Sequence, residues 1–305
     1  MANPEVSIVL LTHNHAAFIQ QCLESAISQQ TSFKFEIIIG DDASTDGTSL
    51  ICERLAEQNP EIITWLKREK NLGLGENLIQ TLALARGNFI TFQEGDDYYT
   101  DPLKLQTQYD FLKHHPEFNA CTHQVQVFNG ITTKNLLATP KEIYNLSDTE
   151  TGRLFHTNSW FIRKNTLPAF QKYLTHWLCW DILLEQKILE LGPVYFIDKT
   201  FSVWRKHPGG NSVKWPLQEQ YHAFKNLYAT LLNEAKARKN KPLIIQYTLT
   251  LHNCHRIFLF EIARREKRTH LSSFLNYSIS QLLNLKIEPL FIYRLWRTIY
   301  KPVVR

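Results

Sequence analysis

Several common chemistries are missing from this sequence. Only five cysteines occur in 305 residues (Cys22, Cys52, Cys121, Cys179 and Cys254), scattered and with no CxxC pair. This fits free thiols in a reducing compartment better than a disulfide framework. His252-Asn253-Cys254-His255 lacks the partners of a metal clip and reads as part of a helix. Glycine is scarce, at 11 residues, and Gly73-Leu74-Gly75 has no third glycine and follows the wrong strand for a dinucleotide loop. No apolar run approaches the roughly twenty residues of a membrane-spanning helix. The start, Met1 to Glu5, has neither a basic segment nor a long apolar one, so no signal peptide is expected and a cytoplasmic location is. Neither sign of charge dominates. The balance of 34 Lys and Arg against 29 Asp and Glu leaves +5, too little to call for nucleic acid.

An alternation of apolar runs and helical periods fills the N-terminal part. Val6 to Leu11, Phe35 to Ile39, Ile62 to Leu66 and Asn88 to Phe92 read as strands, the first two buried on both faces. Helical spacing covers Ala16 to Gln30, the stretch after Ser44-Thr45-Asp46, and Gly75 to Arg86. This order predicts an α/β fold with a mostly parallel sheet and helices on both faces. Ligands of such sheets sit beyond the carboxyl ends of the strands. Three of these ends carry polar clusters: Thr12-His13-Asn14, Asp41-Asp42 and Glu94-Gly95-Asp96-Asp97. Further on, Leu103 to His115 reads as a helix, Ala120 to Phe128 as a strand and Ile131 to Asp148 as loop. Ser159 to Arg163 is expected to be a short strand and Leu178 to Leu191 an amphipathic helix. Val194 to Ile197 and Thr200 to Trp204 look like two short strands, with helices from Trp215 onward.

The last of the three clusters is the densest. Glu94, Asp96 and Asp97 crowd three acids into four positions at a strand end. Hard oxygen ligands in that setting suit Mg²⁺ or Mn²⁺ carrying a phosphate. A solvated turn that caps the helix after Pro102 is the plainer alternative.

Taken together, Ser7 to Asn14, Glu36 to Thr48, Asn71-Leu72-Gly73 and Glu94 to Lys104 resemble the inverting, metal-dependent glycosyltransferases of family 2, which have the GT-A fold. A second block agrees: Trp180-Asp181, Gly192 to Asp198 and Val203 to Gly210, as in bacterial surface-polysaccharide members. The resemblance covers roughly residues 5 to 212. It implies a Rossmann-like GT-A catalytic domain over 1–215, its nucleotide-binding half about 1–100 and its acceptor half about 101–215. A helical extension over 216–305 completes the expected organisation.

The resemblance also implies roles. Thr12, His13 and Asn14 would meet the nucleotide, with Asn71 and Gly73 nearby. Asp41 would accept the imide N–H of uracil, while Asp42 would serve the following turn. Arg68 would meet base or phosphate, or lie on a solvated basic edge. Asp97 would be the main metal ligand, with Asp96 beside ribose and metal and His207 completing the shell. Glu94 stands where the family usually has Asp. Arg205 would pair with phosphate. Asp181 would be the general base, with Glu185 one turn on as the reserve. The expected reaction moves a sugar from a nucleotide diphosphate donor, most simply a UDP-sugar, to a hydroxyl of a cell-surface glycan or lipid-linked acceptor. A sugar nucleotidyltransferase would carry a glycine-rich basic loop after the first strand, which Thr12-His13-Asn14-His15 is not. A nucleotide-sugar binding or scaffold protein is the other alternative. In the tail, His270 to Tyr300 mixes apolar residues with Arg294 and Arg297, a pattern suited to peripheral membrane contact or to ordinary helix packing.

Overall fold

The computed structural model of the protein describes residues 3–171, 173–174 and 179–266. The chain divides into two compact units. One comprises Met1–Thr149 and Arg153–Trp215, the other Glu150–Gly152 and the chain from Pro216 onward.

The first unit begins with β1 (Val6–Thr12), α1 (Ile19–Ile27), β2 (Phe35–Asp41), α2 (Thr48–Gln58), β3 (Ile63–Lys67), α3 (Leu74–Leu82) and β4 (Phe89–Glu94). β1 lies between β2 and β4, β3 lies outside β2, and all these pairings are parallel. The expected alternation is thus observed. Its cause is plain in β1, where every residue from Val6 to Thr12 is buried: a strand covered on both faces must be apolar throughout. Because the register aligns Thr12 with Asp41 and Leu11 with Glu94, the polar ends come out along one edge.

The chain then builds the rest of the sheet. β5 (Tyr98–Tyr99), α4 (Lys104–His114), β6 (Ala120–Phe128), β7 (Thr133–Asn135), β8 (Ile143–Tyr144) and β9 (Phe161–Arg163) precede α5 (Pro168–Gln171), α6 (Trp180–Leu191), β10 (Val194–Arg205) and α7 (Asn211–Lys214). Among the described residues the sheet order is β3-β2-β1-β4-β9-β6-β10-β5, with β7 on β6 and β8 on β10. β9 is antiparallel to both β4 and β6, so β6 and β10 point the same way as β1 to β4. The carboxyl end of β10 therefore reaches the same edge as the three polar clusters.

Three expectations need correction here. The stretch expected to be loop, Ile131 to Asp148, contains β7 and β8. The two strands expected at Val194 and Thr200 are one, β10. Exposed Asp198 and Lys199 interrupt its apolar pattern where register shifts bulge it against β6. The helix expected to be amphipathic, α6, is buried nearly all round, including Glu185, Gln186 and Lys187, while Leu191 is exposed.

The core includes a fully buried cation. Lys104 donates to Thr91 Oγ1 at 3.1 Å and lies 4.3 Å from the Tyr99 ring centre. Burial pulls its ammonium down to about 7. Between that value and the ordinary one the unfolded chain binds the extra proton, so this lysine makes stability rise with pH across the window. Lys104→Met keeps the shape and removes the buried charge. It is expected to raise stability by on the order of a few kcal/mol below pH 7, with the gain shrinking toward pH 10. Denaturant unfolding of both proteins at pH 6 and pH 9.5 checks this; an equal or lower midpoint at pH 6 would contradict it.

In the second unit, α8 (Leu217–Ala237) and α9 (Lys241–Glu266) pack on each other, with Tyr221 stacked on Phe258 at 3.9 Å between ring centres, and His252 to His255 lie within α9 as expected. No helix among the described residues is long and apolar enough to cross a membrane. The segment His270 to Tyr300, read above as a membrane or packing face, lies outside the described residues.

Candidate active site

The loops after β1, β2 and β3 interlock at the carboxyl edge. Asn14 takes a left-handed backbone, with φ of 57°. Its N–H donates to Ser44 Oγ at 2.9 Å, and its side-chain oxygen accepts the Thr45 N–H at 2.8 Å. Residues such as Asn tolerate this conformation when a local hydrogen bond rewards it. Thr12 is buried and contacts His15 Nδ1 at 3.2 Å, while exposed His13 meets the Asn71 amide. Asp42 accepts the N–H groups of Leu72 at 2.6 Å and Gly73 at 3.0 Å, and so pins the third loop. Gly73 has φ of 81°, which favours glycine there.

Asp41, expected to read a base, is turned inward. It has no exposed surface, and its carboxylate accepts the N–H and hydroxyl of Ser44 and the hydroxyl of Ser49. Arg68 runs alongside, its Nε 3.4 Å from Asn77 Oδ1 and its Nη2 buried without a hydrogen-bond partner.

The acid cluster after β4 separates into distinct environments. Gly95 packs so closely on the β1 loop that a Cβ there would overlap Thr12 Oγ1. Asp96 faces the crevice. Its Oδ2 lies 3.0 Å from His207 Nε2 and 3.8 Å from His15 Nε2. Arg205 donates to the Asp96 carbonyl at 2.6 Å and to Gln21, and its guanidinium stacks over Tyr98 and Phe18. Burial keeps His15 below its ordinary value despite Asp96.

Asp97, the adjacent acid, points the other way. Its carboxylate accepts the Arg205 N–H at 2.9 Å and the Asn158 amide at 3.2 Å, and it lies 3.6 Å from His156 Nδ1. Burial, followed by the charges of Asp96 and Glu94, pushes it well above the carboxylate range. Glu94 stands 3.8 Å from His156 Nε2 and is also raised, by burial and then by Asp96 and Asp181. His156 sits between the two acids, stacked on Trp204 with ring centres 4.7 Å apart. Burial and then Arg153 hold its imidazole well below its ordinary value.

Asp181 lies in the first turn of α6, where the helix dipole favours negative charge. Arg153 donates to its Oδ2, and burial of that cation is more than offset by Asp181, Glu94 and Glu185. Glu185 is fully buried, and its carboxylate accepts the N–H groups of Leu154 at 3.0 Å and Phe155 at 2.9 Å. Burial raises it to about 8. The reserve base is thus a strut that holds the Arg153 segment. Glu185→Ala leaves both N–H groups unpaired and is expected to cost about 2–5 kcal/mol. Denaturant unfolding reads this directly; a loss under about 1 kcal/mol would show that the strut is not needed.

Two sets of ligand atoms in this region can be tested for a divalent ion. Among the described residues, Glu94, Asp97 and His156 each offer one atom within 4.8 Å of the others. Yet the Asp97 and His156 side chains are 0% and 2% exposed, and Asp97 already accepts two hydrogen bonds. Asp96 and His207 are 15% and 17% exposed and face the crevice. Ligands open to the crevice can be reached by an ion, and a carboxylate with an imidazole suits Mn²⁺. The Asp96–His207 pair fits, while Glu94, 32% exposed, stands against His156 in the other set.

The structure thus brings together Asp96, His207 and Arg205, and sets Asp181 with Arg153 on the other side of the end of β10. His15, Phe18, Arg153, His156 and Trp204 were not singled out from the sequence.

Known proteins resemble this chain in sequence and in fold. The glycosyl transferase family 2 model matches residues 7–172. An uncharacterised Mycobacterium tuberculosis protein, Rv1520, is 31% identical over 208 residues, covering 67% of this chain and 60% of its own length. The chain therefore spans about three fifths of that relative. The fold resembles that of Staphylococcus aureus TarS in complex with UDP-GlcNAc, with a TM-score of 0.59 and 20% identity over 75% of this chain and 67% of that one. It also resembles the mannosyltransferase PcManGT of Pyrobaculum calidifontis with GDP-Man and Mn²⁺, at 0.57 and 18% over 98% and 84% of the chains.

Proposed function

The chain belongs to glycosyl transferase family 2, and from that premise we propose that it transfers a sugar, with inversion, from a nucleotide diphosphate donor to a hydroxyl of a glycan or lipid-linked acceptor. One observation carries this reading: the end of β10 sends Arg205 and His207 to Asp96, while Asp181 pairs with Arg153 over the ring of Trp204, the neighbouring residue that faces the other side of the strand. A displacement with inversion needs that separation. The leaving diphosphate and the acceptor must lie on opposite faces of the sugar.

On the donor side, the loops carrying His13, Asn14, Asn71 and Gly73 line the nucleotide position. Asp96 and His207 would hold Mn²⁺ or Mg²⁺, with Glu94 near the ribose or the ion. A bound ion supplies charge neutralisation as the diphosphate leaves. Arg205 adds a fixed guanidinium beside it, suited to a phosphate oxygen. On the acceptor side, Asp181 takes the proton of the attacking hydroxyl. Arg153 donates to its Oδ2 and fixes the orientation of the carboxylate. A UDP-sugar is the donor proposed, by likeness to TarS with UDP-GlcNAc.

A panel of UDP-, GDP- and other nucleotide sugars, titrated with and without Mn²⁺, tests the reading. Metal-dependent binding of one donor, followed by its slow hydrolysis, is expected. A folded protein that binds no donor would overturn it and favour a scaffold.

A further inference from the structure

The side of β10 that faces away from Asp96 carries unneutralised positive charge. Trp204 and Lys206 alternate with Arg205 and His207, so they project to the opposite face. The Lys206 ammonium lies 4.4 Å from the Trp204 ring centre, and the Arg153 guanidinium 5.6 Å from it. Lys134 joins them through the sheet. It pairs with Val127 across β7 and β6, and Trp204 pairs with Val127 across β6 and β10. Residues on one row of a pleated sheet share a face, so Lys134 and Trp204 stand on the same side.

Arg153 is paired with Asp181. Lys134 and Lys206 are exposed, and among the described residues neither has an acidic partner. Like charges gathered at this density repel, and an anionic ligand would relieve the repulsion. The donor diphosphate is not that ligand on the reading above, since Arg205 and His207 address it from the other face. What lies on the Trp204 face is the proposed base.

We propose that Lys134, Lys206 and Trp204 form an acceptor subsite for an anionic saccharide, one bearing a phosphate or carboxylate group near the hydroxyl presented to Asp181. This rests on the sugar-transfer reading for its direction, from donor to acceptor. The anion contact itself stands on the two lysines.

The test uses three probes on the full chain: glucose 1-phosphate, glucuronate and neutral glucose, followed by saturation-transfer NMR and titration. The variants are Lys134→Glu/Lys206→Glu, the milder Lys134→Gln/Lys206→Gln, and Lys134→Arg/Lys206→Arg. At least one charged probe is expected to bind the wild type. It should weaken roughly tenfold in the Glu and Gln pairs and recover in the Arg pair, with glucose indifferent throughout. Preference between the two charged probes identifies phosphate or carboxylate as the group read. Equal binding of the charged probes to wild type and the Glu pair would overturn the subsite, as would no binding to wild type or displacement of the charged probe by UDP. Nucleotide-sugar titration of the same samples reads the transfer proposal separately. Wild type that binds the charged probe but no donor would sink that proposal and leave the anion contact standing.

Discussion

Asp181→Asn is expected to reduce sugar transfer by a factor of roughly 10²–10⁴, the range for a lost general base. Donor affinity should stay within about threefold, because the proposed role of Asp181 is toward the acceptor and not the donor. The fold should survive. Asparagine keeps an oxygen that accepts from Arg153, and Glu185 still holds Leu154 and Phe155 in place. Transfer and donor affinity measured on the same preparation separate the two effects. Full activity in the variant would remove Asp181 from the chemistry. Glu185 would be a poor replacement, since its carboxylate is already bound by two backbone N–H groups away from the crevice.

The second large effect belongs to Asp96 and His207. Either Asp96→Ala or His207→Ala is expected to weaken Mn²⁺-dependent donor binding and to lower turnover by roughly 10²–10³-fold, the scale of a lost electrostatic contact in an active site. Metal-independent binding of the bare nucleoside should change little. Asp97→Asn should behave differently, although Asp97 is the next residue. An asparagine there can still accept the Arg205 N–H, so donor binding in Mn²⁺ should persist. Calorimetric titration of the three variants, with and without Mn²⁺, makes the comparison. Loss in Asp97→Asn with retention in Asp96→Ala would reverse the assignment.

Much of the architecture was legible because β1 and β2 are buried on both faces and read as unbroken apolar runs. Their polar ends marked the crevice for the same reason. Which acid faces it was not legible. Asp96 and Asp97 are equally acidic and adjacent, and only the backbone after β4 decides that one meets His207 while the other meets Asn158 and the Arg205 N–H. Asp41 is ambiguous in the same way. A carboxylate at a strand end looks alike whether it meets a ligand or Ser44 and Ser49.

The surroundings of Asp181 and Glu94 were illegible for another reason. Arg153 and Asp181, or His156 and Glu94, are brought together by β9, α6 and β10 across long stretches of chain. No local spacing records such contacts. One signal was present: His156 to Ser159 is a polar run leading into an apolar strand, and all four residues are buried. Buried polar runs of that kind have partners elsewhere in the fold. In β10, exposed Asp198 and Lys199 disguised one bulged strand as two.

The most direct test of the donor site is pulsed electron paramagnetic resonance of Mn²⁺ bound together with the preferred nucleotide. Nitrogen hyperfine coupling from one imidazole is expected in the wild type, lost in His207→Gln and retained in His156→Gln. Coupling that persists in His207→Gln and vanishes in His156→Gln would place the ion among Glu94, Asp97 and His156 instead, and would contradict the assignment of the crevice pair.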